Sequence, residues 1–127
     1  MFRRKLLVFA SALLIALMTA LPAFADSNSV TDLRLAPGAT VCIGPLSATS
    51  YADAQGTANG GGANFAVFNG AVNATQVVYL AFNSSGFHAT FSSSFPQGAT
   101  FPGKFKLCAT NPSTTNNTRI SMSLTTN

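Results

Sequence analysis

The chain has no tryptophan and no glutamate, a single histidine and two cysteines, and its charged side chains number only 7 basic and 3 acidic in 127 residues. Each shortage excludes something. Glycosidases of the usual kind need two carboxylates facing across a cleft, and a calcium cage needs several oxygens with some negative charge. Asp26, Asp32 and Asp53 are far apart in sequence and form neither pattern. Cys42, Cys108 and His88 lack the close ligand pairs of a zinc site, so no metal is expected and no cofactor. There is no G-x-S-x-G elbow and no H-E-x-x-H pair. His88 has no motif around it that supplies an orienting acid or a nucleophile, and it reads as an exposed strand residue. The expectation is that the protein is not an enzyme and has no catalytic residues.

What is present begins with an export signal. Arg3, Arg4 and Lys5 precede an apolar run from Leu6 to Leu21, followed by Pro22 and the small-residue exit Ala23-Phe24-Ala25. The run is short for a membrane span and has no basic stop-transfer flank, so residues 1–25 read as a secretory signal peptide and 26–127 as one exported domain. No lipid-attachment cysteine follows the run and no apolar anchor tail closes the chain, which makes free secretion or the periplasm the expected location. Three of the basic residues leave with the signal. Arg34, Lys104, Lys106 and Arg119 then stand against three aspartates, a net charge of 4 − 3 = +1. That is too little for a nucleic-acid footprint or a polybasic membrane patch.

Serine, threonine and asparagine supply the polarity, and they favour turns and the wet faces of strands over helix interiors. No helical period runs through residues 26–127, and Gly, Pro, Asn and Ser clusters interrupt the chain about every ten residues. Strands are expected over Val30–Leu35, Thr40–Leu46, Ala63–Phe68, Gln76–Phe82, Phe87–Ser92, Lys104–Thr110 and Thr118–Thr125, with a weaker one in Ser47–Ala58. The continuous apolar run Gln76–Phe82 suggests a central strand covered on both faces. Asn83-Ser84-Ser85-Gly86 makes a hairpin into Phe87–Ser92. Gly56–Asn64 reads as a flexible connector and not a phosphate loop, because the Gly-Lys-Ser/Thr ending is missing. The sum is an all-β fold, an antiparallel β-sandwich or jelly roll of seven to eight short strands with one disulfide.

The two cysteines of an exported chain pair with each other. Val41 and Ile43 flank Cys42, and Leu107 and Ala109 flank Cys108. With those apolar neighbours facing the core, both sulfurs face outward, which requires strands 40–46 and 104–110 to be adjacent in one sheet. Lys104 and Lys106 share the parity of Cys108 and belong in water. The same parity and the absent tryptophan exclude an immunoglobulin-type core disulfide.

The turn Leu35-Ala36-Pro37-Gly38, the run Pro102-Gly103-Lys104-Phe105-Lys106-Leu107 and the ending CATNPSTTNNTRISMSL resemble the bacterial pre-peptidase C-terminal domain. The resemblance implies a small secreted β-sandwich, non-catalytic and accessory to exported enzymes.

Phe82, Phe87, Phe91 and Phe105 are expected in the core. Phe95 and Phe101, each beside a proline in the connector 92–103, and Tyr51 are candidate partner contacts, with Phe95 and Phe101 alternatively capping the end of the sandwich. Asn73, Asn83 and Asn116 begin glycosylation sequons. Two functions survive. One is a secreted non-catalytic binding or accessory protein whose loops contact a protein or glycan. The other is a structural subunit of an extracellular assembly, adhesin- or filament-like, self-associating as the segment Val30–Leu35 adds to a neighbour's sheet edge.

Overall fold

The computed structural model describes residues 26–127, and the signal segment expected over 1–25 lies outside the described residues. The described chain is all-β: β1 (Asp26–Leu35), β2 (Thr40–Ala48), β3 (Tyr51–Ala58), β4 (Ala63–Gly70), β5 (Gln76–Ser84), β6 (Gly86–Ser92), β7 (Gly103–Thr110) and β8 (Thr118–Thr126). They form two four-stranded antiparallel sheets, β1-β8-β3-β6 and β2-β7-β4-β5. First pairs with last, second with seventh, third with sixth and fourth with fifth, as in a long hairpin rolled up on itself. This is the jelly-roll order.

Alternation in the sequence drives the assembly. In β8 Ile120, Met122 and Leu124 are buried while Arg119, Ser121, Ser123 and Thr125 face outward; in β4 Phe65 and Val67 do the same against Ala66 and Phe68. The inward rows of both sheets meet in one core centred on Phe65, Phe91, Phe105, Leu107, Ile120 and Leu124. Phe91 and Phe105 pack with ring centres 5.6 Å apart across the two sheets.

Two buried asparagines hold the loops. Asn69 is fully buried, donates to the carbonyls of Lys104 (3.0 Å) and Thr100 (3.3 Å), and accepts from the Thr100 N–H at 2.6 Å. Asn111 likewise donates to the carbonyls of Leu35 and Asn116 and accepts from the Ser113 N–H. No buried side-chain polar atom among the described residues lacks a partner.

Three expectations need correction. Gln76–Phe82 is not a central strand covered on both faces: β5 ends its sheet and pairs with β4 alone, and in this two-layer sandwich only its inner face meets the core. Phe82 therefore leaves the core and is 66% exposed, while Tyr79 and Ala81 pack inward. The connector read over Gly56–Asn64 shrinks to 59–62, because Gly56 lies within β3 beneath two aromatic rings. Phe87, Phe91 and Phe105 do contribute to the core, Phe87 as a partly buried neighbour.

Candidate functional site

Cys42 and Cys108 are joined, and they are direct cross-strand partners on β2 and β7 with Cα atoms 4.0 Å apart. Direct opposition in the closer kind of antiparallel pair brings Cα atoms to about 4.5 Å, near enough for a bridge between neighbours. Ile43, Leu107 and Ala109 point into the core and Val41 packs against it, so the bridge sits on the outer face. A register shift in β2 falls between Ile43 and Leu46, beyond Cys42, and leaves the parity of that residue intact. Lys104 and Lys106 are half-buried on the same face, with Lys106 Nζ 4.9 Å from the centre of the Phe68 ring.

The outer face of the sheet β1-β8-β3-β6 is polar. Strand register sets Ser27, Thr125, Asp53 and Thr90 in one row and Ser29, Ser123, Gln55 and His88 in the next. A groove of about 280 Å³ crosses the strands, lined by Ser, Thr and Gln side chains of this face together with Val30, Phe87 and Met122. Beside it, His88 Nε2 lies 2.5 Å from Asp53 Oδ1, and the Thr90 hydroxyl donates to the same oxygen at 3.1 Å. Sequence reading placed His88 correctly on an exposed strand face but missed its acid: Asp53 sits 35 positions away and is brought alongside by the β3–β6 register. The side chain of His88 is 61% exposed, so the pair is screened by water. Hydrogen bonding to a polar surface is the chemistry this face offers. Asp32 has a separate partner, Arg119, at 3.1 Å.

The outer face of β5 is the opposite in character. Val77, Leu80 and Phe82 are 45%, 48% and 66% exposed, and Val72 in the preceding turn is exposed as well. β5 has neither charge nor proline. The other edges are blunted in ways natural sheets use. β2 carries Pro45 after a cis peptide bond, and β1 is bulged at Thr31 and Asp32. On β6, the Gln97 side chain donates to the Thr90 carbonyl at 2.9 Å. Val30–Leu35, read as a segment that adds to a neighbour's sheet, pairs with β8 on one side and forms a sheet edge on the other.

Of the three candidate contacts, Phe95 is exposed on the 93–102 connector and Tyr51 is 39% exposed at the start of β3. Phe101 is not with them. It packs on Phe105 at 5.4 Å between ring centres and closes the end of the core. The apolar face of β5 was not legible, because a continuous apolar run is the same string of letters whether one face of the strand or both are covered.

No protein-family model matches the chain, and no curated protein does. No helix among the described residues is long and apolar enough to cross a membrane.

Proposed function

We propose that residues 1–25 direct export and that residues 26–127 act outside the cytoplasm as a non-catalytic binding protein, paired with a second copy through the outer face of β4 and β5. The observation that carries the reading is the stripe Val77, Leu80 and Phe82, three of the exposed large apolar side chains gathered on one strand of a surface rich in Ser, Thr and Asn. Contiguous exposed apolar area of this kind marks contact sites. With Val72 nearby in the preceding turn it offers an apolar centre for an interface, and the polar residues around it supply a rim. A second copy fits best: a two-fold axis sets the stripe against itself, and a net charge of +1 opposes the approach little. Irregular pairing of β5 with β4, around Val78 and again near Phe82, makes packing of faces a better contact than a continued ladder. The disulfide is compatible with an oxidising exterior. An accessory role, as the likeness to pre-peptidase C-terminal domains implies, fits within this reading.

Sedimentation velocity of the exported protein between micromolar and millimolar concentration tests it. A dimer is expected, and Leu80→Lys or Phe82→Lys, each at an exposed site, is expected to give a folded monomer. A wild-type monomer at every concentration overturns the pairing.

A further inference from the structure

Two of the four cations of residues 26–127 stand side by side. Arg34 and Arg119 are direct cross-strand partners on β1 and β8. Like charges placed opposite one another weaken a sheet, so this pair works against the fold in a domain that has few charges to place. Local conflicts of this kind concentrate at functional sites. The two side chains frame a cleft of about 300 Å³, completed by Asn59, Gly60, Asn117 and Thr118 from the β3–β4 turn and the entry to β8.

Each guanidinium is oriented by one residue, and Arg119 Nη1 also lies 3.5 Å from the Asp32 carbonyl. With its amide oxygen turned to the guanidinium, Asn117 accepts from Arg34 Nη2 at 2.6 Å and Nε at 3.3 Å. Arg119 Nη1 donates to Asp32 Oδ2 at 3.1 Å. Asp32 is the only carboxylate among the described residues paired with either arginine, so the cleft keeps one positive charge in excess. Most of the ten guanidinium N–H donors have no protein acceptor among the described residues. Gly60 lines the cleft at φ +77°, where a side chain would reach the Asn117 carbonyl at 3.4 Å.

We infer that this cleft binds a small oxyanion, first of all the carboxylate of an acidic sugar. Carboxylate matches the planar fork of a guanidinium, with two parallel N–H bonds from one group. Asn59 and Thr118 also line the cleft and carry groups that can hydrogen-bond to hydroxyls. A volume near 300 Å³ holds one sugar residue. The inference rests on the binding role proposed above, and it shares no residue with the β5 contact.

Titration of the exported protein with galacturonate, inorganic phosphate, sulfate and glucose, followed by amide NMR shifts, tests it. Saturable shifts at Arg34, Asn59, Gly60 and Arg119 are expected with galacturonate, at millimolar affinity that falls as salt is added, and none with glucose. Weaker saturation by phosphate and sulfate at the same residues marks the shared oxyanion chemistry, and binding of those two without galacturonate overturns the choice of carboxylate. Arg34→Gln is expected to weaken galacturonate at least tenfold, and Arg34→Lys, which keeps the charge and loses the fork, by less. Arg119→Gln serves if Arg34→Gln does not fold. Unchanged affinity in a folded glutamine variant, or the absence of saturable shifts with all three anions, overturns the site. Repeating the titration on Leu80→Lys separates the two readings, since monomers are expected to bind galacturonate as wild type does.

Discussion

Replacing both cysteines by alanine is expected to leave the fold in place and to cost most of what the bridge contributes through the unfolded chain. The two residues are 66 positions apart, and closing a loop of that length removes about 4.4 kcal/mol of unfolded-state entropy at 25 °C. Little core packing is lost in addition, because the bridge lies on the outer face: Cys42 is exposed, and Cys108, though buried, stands outside the core cluster. A core-crossing disulfide would leave a cavity with its own cost. For a domain of this size the loss corresponds to a fall in Tm of about 20 °C. Calorimetry of the exported protein and of Cys42→Ala/Cys108→Ala measures it, and urea titration adds a second reading. The m-value is expected to rise in the variant, since its unfolded chain exposes more surface. Amide shifts of β4 and β8 are expected to stay native. A Tm change below about 5 °C with an unchanged m-value would refute the loop-closure account, and a collapsed spectrum would show that the bridge holds native packing directly.

Three further outcomes follow from the packing. Gly56→Ala is expected to destabilise by about 1–3 kcal/mol in urea titration, since the new Cβ would lie 2.7 Å from the Phe65 ring and 2.9 Å from the Phe87 ring; a stabilised variant refutes the contact. Asn69→Ala takes their side-chain partner from the part-buried Thr100 N–H and Lys104 carbonyl and is expected to cost about 1–3 kcal/mol, read as a lowered urea midpoint; a loss below about 0.5 kcal/mol refutes the clamp. His88→Ala is expected to change stability by no more than about 0.5 kcal/mol, because the pair with Asp53 is open to water, and a larger drop in the same titration refutes that reading.

Alternation made much of the fold legible. The parity of Val41, Ile43, Leu107 and Ala109 was enough to place the disulfide outside the core and to make β2 and β7 neighbours, because side chains alternate strictly wherever no bulge intervenes. The parity of β8 separated its buried face from its wet one for the same reason. β5 escaped this reasoning, since an unbroken apolar run carries no parity. Asp53 and His88, like Arg34 and Arg119, escaped because each pair is joined only by strand register between segments distant in the chain.

Composition, turn residues and period-two patterning by themselves determined an all-β domain, its strands to within a few residues, and the single pairing open to two cysteines. Those properties are local, or follow from counting. Tertiary structure alone decided which strands became edges, which apolar face stayed uncovered and which charges became neighbours. Each of these depends on the order in which the strands enter the sheets, and that order is settled by the packing of the whole core.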